Sequence, residues 1–414
     1  MTGVADPFAV RRPVLSGTWF KTPITKRLVD YAITKAPVAV RFPDGTVRGH
    51  GGEGAPELEI VRPKVFYDRL SHNPKIGLGE AYMAGDWRAA PGSDLGAALT
   101  PFAERLTTLI PERLWKMRAV VDKRIPESQR NSIEGSKRNI GSHYDLSNEM
   151  FAAFLDPTMS YSSAMFDPAT DFAGQDLEAA QYRKIDSILD MAHVGSGTRV
   201  LEIGSGWGAL AIRAAQRGAH VTTVTLSAEQ RELALGRIAE AGLSDRIDIR
   251  LQDYRDVRGE FDAIVSVEMI EAVGEEYWPT YFGALDSLLA PGGTVAIQAI
   301  LMSHARMLAT RRSWGWIQKY IFPGGLIPSL QAIDDSLADH TSLVRSDRLE
   351  LGQHYAETLR RWRHRFNETW TTVSHRGFDE TFRRMWEYYL AYCEAGFASG
   401  YLEVSQLQFT RRPA

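Results

Sequence analysis

Residues 199–208, Arg-Val-Leu-Glu-Ile-Gly-Ser-Gly-Trp-Gly, constrain the fold more than any other stretch of this chain. A short apolar run ends at Ile203 and turns through Gly204, Gly206 and Gly208 into a helical pattern from about Trp207 to Arg217. Glycines let the backbone turn sharply and approach a ligand with no Cβ atom in the way. The same rhythm recurs downstream. Val221–Leu226, Ile247–Leu251, Phe261–Val267 and Thr294–Leu301 read as further strands, and Ser227 opens a helix as its N-cap. A helix from about Glu275 to Leu289 stops at Pro291-Gly292-Gly293. Strands alternating with helices over this length predict an α/β fold with a doubly wound, Rossmann-like parallel sheet.

What the loop binds is narrowed by its neighbours. A lone G-x-G-x-G also serves NAD and flavin enzymes. Here Glu202 lies two residues before the first glycine, where a carboxylate can meet the amino-acid part of S-adenosylmethionine. The second strand ends in Thr225-Leu226-Ser227 and lacks the ribose-binding carboxylate usual for NAD. Gln252-Asp253-Tyr254 closes the third strand and offers an acid to an adenine amino group. These features favour S-adenosylmethionine over a dinucleotide.

A chain of 414 residues exceeds one ordinary core and predicts two domains. Residues 1–125 read as a small α+β domain. Val38–Phe42 and Thr46–Arg48 flank Asp44-Gly45 as a hairpin, Glu57–Arg62 alternates like a strand, and Leu70–Trp87 reads as helix-turn-helix. Residues 126–140 form the expected linker, inside the polar stretch Asp122–Lys137, and 141–414 the second domain. Residues 9–36 mix Arg11, Arg12, Lys21, Lys26, Arg27 and Lys35 with Val14, Leu15, Trp19, Phe20, Ile24 and Leu28. That pattern fits an anionic membrane surface or, more commonly, a solvated helix packed on its own domain.

Composition removes other classes. A net charge of −3 gives no basic field for nucleic acid. The single cysteine, Cys393, cannot form an internal disulfide, which fits a reducing compartment. No run approaches roughly 18 apolar residues, and the start lacks a signal-peptide pattern. The expectation is a cytoplasmic protein with scope for a peripheral role at the inner membrane face. No metal site is expected.

From about Gly141 onward the chain resembles the cyclopropane-fatty-acid synthase family and its mycolic acid relatives. The likeness rests on His143-Tyr144-Asp145-Leu146-Ser147-Asn148, Leu155-Asp156-Pro157, Tyr161-Ser162 and the glycine loop. It continues through Thr225-Leu226-Ser227, Gln252-Asp253-Tyr254-Arg255, Ser266-Val267-Glu268-Met269-Ile270-Glu271, Lys319–Gly325 and Tyr355. It implies a class I S-adenosylmethionine-dependent methyltransferase fold with an acyl-binding insertion. Its cofactor pocket carries over to Tyr161, Ser162, Gly204, Gly206, Thr225, Gln230, Asp253 and Tyr254, to which Glu202, Gly208 and Ser227 are added. The N-terminal domain then corresponds to the lipid-associated domain of longer members, and a homodimer is implied.

The resemblance also implies chemistry. An alkene is a weak nucleophile, so it must be aligned with the methyl donor and kept from water. Attack leaves positive charge on the acyl chain, and a proton must then reach a base. Family members hold a bicarbonate for this purpose in a pocket that maps to Ser163, Glu271, Gln298, Ile300 and Tyr355. The family normally has cysteine at 163 and histidine at 298, and histidine where Ala272 stands. A bicarbonate site is therefore expected to be altered, with Glu271 taking a larger part in handling the proton. Trp314, Trp316, Tyr320 and Phe322 are expected to line an acyl channel, with Arg311, Arg312 and Lys319 facing lipid phosphates.

Two products stay open: a cyclopropane, or an exocyclic methylene that a separate reductase converts to a methyl branch. The pattern Glu268–Gly274 with Gln298-Ala299-Ile300 looks like the branch of the family making mid-chain methyl-branched acids, which favours the methylene. The expected substrate is an unsaturated phospholipid acyl chain such as oleoyl. Two other classes remain: a soluble-amine N-methyltransferase and a non-catalytic lipid-binding module.

Overall fold

The structure is a computed structural model that describes residues 22–105 and 147–412. The expected linker, His143–Leu146 and the basic-aromatic residues before Thr22 lie outside the described residues. The chain divides into two compact units. Among the described residues, the first takes 22–105 together with 313–321 and 359–401. The second takes 147–312, 322–358 and 402–412.

The first unit holds a four-stranded sheet of β1 (Ala39–Arg41), β2 (Val47–Arg48), β3 (Glu57–Ile60) and β4 (Trp87–Ala89), in the order β2-β1-β3-β4. The expected hairpin is present. Asp44 Oδ1 accepts from the Thr46 N–H at 2.9 Å and Gly45 adopts φ +82°, which closes β1 onto β2. The helix-turn-helix begins earlier than expected, as Pro63–His72 and Pro74–Met83, because each opens on a proline. Between them the Asn73 side chain caps the second helix at Lys75 and Ile76. The long helix Glu380–Ala398 packs on Leu95–Glu104 and Pro74–Met83 within this unit.

The second unit is built on β5 (Arg199–Ile203), β6 (His220–Thr225), β7 (Ile247–Leu251), β8 (Phe261–Val267), β9 (Leu289–Leu301), β10 (Leu343–Glu350) and β11 (Glu403–Arg411). Their order is β10-β11-β9-β8-β5-β6-β7. β5 through β9 run parallel, and β11 and β10 complete the sheet antiparallel. Pro291-Gly292-Gly293, expected as a helix stop, instead falls inside β9, which regains register with β8 after an irregularity between Phe261 and Ala263. Apolar side chains of both sheet faces are buried; Leu201, Ile203, Ile264 and Ile297 belong to one cluster, and Val200, Ala263 and Val265 to the other. Because strand order reverses between β5 and β8, a crevice opens at their carboxyl ends, the position where such sheets hold ligands. Among the described residues, no helix is long and apolar enough to cross a membrane.

Candidate active site

The glycine corner follows β5. Gly204 adopts φ +95° and Gly206 φ +50°, conformations that side chains with a Cβ resist. A Cβ on Gly204 would stand 2.7 Å from Met269 Cγ and 2.8 Å from its sulfur, so the backbone passes directly over that side chain. The Gly204 and Ser205 N–H groups both bind the Val224 carbonyl, tying the loop to β6. Gly208 starts the following helix at φ +88°.

Glu202 is 3% exposed, and its Oε2 has no hydrogen-bond partner among the described residues. Burial pushes its carboxyl up to about 8, against the pull of Thr223 and Lys184. A buried carboxylate with an unfilled oxygen suits a cationic ligand group such as the ammonium of S-adenosylmethionine. On β6, Thr225 donates to Gln230 Oε1 at 2.9 Å and accepts from the Ser227 N–H, while Ser227 caps the next helix at the Gln230 N–H. Asp253, the acid expected to meet adenine, is oriented from within the chain. Both its oxygens are taken by Arg255, at 2.8 and 2.6 Å. Tyr254 stacks edge-on to Tyr281, and burial pushes its hydroxyl up to about 12.

The loop after residue 160 completes the crevice. Tyr161 packs against Phe151, with ring centroids 5.2 Å apart. The Ser162 hydroxyl accepts from the buried Lys184 ammonium at 2.7 Å. Two residues of the helix His354–Glu368 hold the loop in place: Thr358 Oγ1 accepts from the Ala164 N–H and His354 Nδ1 from the Phe166 N–H.

Three of the groups expected to form the reaction pocket converge on a residue for which no role was expected. Glu268 follows β8 in the left-handed region, at φ +51°, an uncommon conformation for a side chain of this size. Its Oε1 accepts from the Ser163 N–H and from Gln298 Nε2, both at 2.9 Å, and its Oε2 from the Tyr355 hydroxyl at 2.7 Å. Burial raises its pKa, while those three donors and Lys184 pull it down. The Gln298 amide is oriented in turn: its Oε1 accepts from Gln406, whose own Oε1 accepts from Ser187. Ser163 therefore contributes its backbone. Its hydroxyl, expected to bind an anion, bonds the Ala164 carbonyl.

Glu271 occupies a separate position. Its Oε1 accepts from the Ile300 N–H and its Oε2 has no partner among the described residues. Burial and the neighbouring Glu268 push it up to about 8. Two carboxyls so placed seldom ionise together, and Glu268, with three donors, is the better-stabilised anion.

Of the aromatic residues expected to line an acyl channel, Trp314, Trp316 and Tyr320 belong to the first unit and Phe322 to the second. Trp316 is buried in the first unit, against Gly79 and with its ring 4.9 Å from Tyr388, and the Tyr320 hydroxyl donates to Glu80. Lys319 pairs with Glu80 and Arg311 with Glu275, so carboxylates of the chain engage two of the three cations expected to face lipid phosphates, while Arg312 is exposed.

Sheet order, glycine corner and crevice together define a class I S-adenosylmethionine-dependent methyltransferase. The chain belongs to the mycolic acid cyclopropane synthetase family, whose profile matches residues 131–407. The activity that goes with this membership is methyl transfer from S-adenosylmethionine to an unsaturated fatty acyl chain. The chain is 52% identical to tuberculostearic acid methyltransferase UfaA1 of Mycobacterium tuberculosis, over 94% of this chain and 91% of that protein. It is 32% identical to cyclopropane-fatty-acyl-phospholipid synthase of Escherichia coli, over 93% of each. The crystal structure of mycolic acid cyclopropane synthase CmaA1 complexed with SAH and CTAB is similar at a TM-score of 0.60 and 28% identity, over 66% of this chain and 97% of that one.

Proposed function

We propose that the acceptor is the cis double bond of a phospholipid-bound acyl chain of the oleoyl type, and that the product carries an exocyclic methylene. The observation that carries this reading is the Glu268 carboxylate, held by Ser163, Gln298 and Tyr355. These are three of the residues expected to grip a bicarbonate, and a carboxylate of the chain takes the place of that ion. When bound, S-adenosylmethionine supplies a methyl group that is already electrophilic.

The alkene π electrons form the new carbon–carbon bond and leave a cation on the adjacent carbon. A hydride shift moves that charge onto the methylated carbon. Glu268 then accepts a proton from the added methyl, and the freed C–H pair forms the C=CH₂ bond. Without the shift, loss of the same proton closes a cyclopropane ring. Glu271, neutral through most of the range below pH 8, adds no second negative charge beside the base. Tyr161, Ser162, Glu202, the loop glycines, Thr225, Ser227, Gln230, Asp253 and Tyr254 form the cofactor side of the crevice. The further partners of this reading are a separate reductase acting on the methylene and a second copy of the chain.

Gas chromatography with mass spectrometry on lipids of an oleate-fed host expressing this chain tests the reading. The expected product gains one CH₂ as an exocyclic methylene. A cyclopropane would overturn the product assignment, and unmodified lipid from a chain that binds cofactor would overturn the acceptor.

A further inference from the structure

Among the described residues, none covers one apolar face of the helix Thr22–Lys35. Ile24, Leu28 and Tyr31, spaced i, i+4 and i+7, are 62%, 44% and 46% exposed. That spacing puts them in one stripe. Arg27 and Lys35 are exposed on the same side, with the Lys35 ammonium 5.6 Å from the centre of the Tyr31 ring. The opposite side anchors the helix: Ile33 is buried and Thr22 bonds Asp68 at 3.1 Å. The helix has one carboxylate, Asp30, which is turned toward that anchored side. It binds Lys26, Arg48 at 2.8 Å and the Tyr67 hydroxyl at 2.8 Å.

We propose that this face docks on an anionic lipid bilayer, with Ile24, Leu28 and Tyr31 entering the interface and Arg27 and Lys35 meeting lipid phosphates. A tyrosine beside aliphatic side chains and flanking cations is the composition of a helix lying in the headgroup region. The charges favour a bilayer over a second copy of the chain. Two such faces brought together would set Arg27 and Lys35 against their own counterparts, with no carboxylate on the stripe to offset them. The inference rests on the reading that the acceptor is a membrane phospholipid, and it adds the surface through which the chain reaches it.

Co-sedimentation of the full chain with phosphatidylglycerol vesicles, compared with phosphatidylcholine vesicles, tests the proposal. The wild type is expected to prefer the anionic vesicles and to lose binding as salt rises. Ile24→Ser, Leu28→Ser and Tyr31→Ser combined should weaken binding at least about tenfold with an unchanged melting temperature. Methylation of oleoyl phospholipid in detergent micelles should be the same for both proteins, while methylation in vesicles should fall in the variant. Equal vesicle binding by wild type and variant would overturn the proposal. So would a variant that light scattering shows to have lost a dimer, since the stripe would then be an interface between copies. Failure of the wild type in micelles would count against the acceptor and leave the vesicle-binding result to stand by itself.

Discussion

The ammonium of Lys184, a residue only 2% exposed, lies 2.7 Å from the Ser162 hydroxyl. Burial lowers this lysine to about 8, and Glu268, Asp156 and Glu202 oppose that shift. One cation thus balances carboxylates on both sides of the crevice, at the glycine loop and at the reaction pocket.

Lys184→Met removes that charge while keeping much of the stem. Glu268, already raised by burial, should rise further, so the acid limb of the kcat/KM profile should move to higher pH. Stability should fall by about 3–5 kcal/mol, since buried carboxylates are left without their cation. An unchanged pH profile in a folded variant would mean that Lys184 acts only in packing.

Glu268→Gln keeps the size of the side chain and removes the base; its carbonyl oxygen can still accept from Ser163 and Gln298, and its amide N–H then faces the Tyr355 hydroxyl, which can turn to accept it. Turnover should drop roughly 10²–10⁴-fold, with cofactor binding close to wild type. Tyr355→Phe is the graded counterpart. Loss of a donor that lowers the Glu268 pKa should shift the acid limb upward with a smaller loss of rate. Near-normal turnover in Glu268→Gln would transfer the base role elsewhere, with Glu271 the next carboxyl to replace.

Glu271 should leave its mark on stability as well. Its folded pKa of about 8 lies above the ordinary 4.5, so the native state binds more protons between those values. Its contribution is complete below the ordinary value and is lost as pH rises through 8. Glu271→Gln should therefore flatten part of the fall in stability between roughly pH 4.5 and pH 8 in denaturant titrations. Glu202, shifted the same way, accounts for a further part. Parallel curves for wild type and variant would rule out Glu271 as a titrating group there.

Much of the cofactor side was legible because its signals are local. The strand, the glycine turn and the Ser227 cap lie within thirty residues or so, and each has a backbone reason that composition displays. The reaction pocket was legible only as a set of positions carried over by resemblance. Glu268 meets Ser163 across 105 residues and Tyr355 across 87, and nothing in a linear pattern couples them. Its left-handed backbone conformation, which turns the carboxylate toward those donors, is set by tertiary packing. Asp253 carries a contact that its position at a strand end did not announce, since Arg255 two residues on pairs with both its oxygens. The first unit was misread at its edges for a related reason, because 313–321 and 359–401 join it with no break in hydrophobic pattern to announce the change.

The first unit contains a buried ion network that should decide its stability. Arg363, 4% exposed, donates to both oxygens of Asp94 at 2.9 and 2.7 Å and to Glu394 Oε2 at 3.0 Å. Burial already pushes Glu394 up to about 7 despite the guanidinium beside it. Gly96 allows the approach, since a Cβ there would stand 2.3 Å from the Glu394 carboxyl carbon. Arg363→Met should cost about 3 kcal/mol, because it leaves the buried Glu394 without its guanidinium, while Asp94 keeps the Ala97 N–H and His364. Adding Glu394→Gln should recover part of that loss, since an amide is cheaper to bury than an unpaired carboxylate. Strict additivity of the two changes in denaturant unfolding would mean that Arg363 and Glu394 are energetically independent despite their contact.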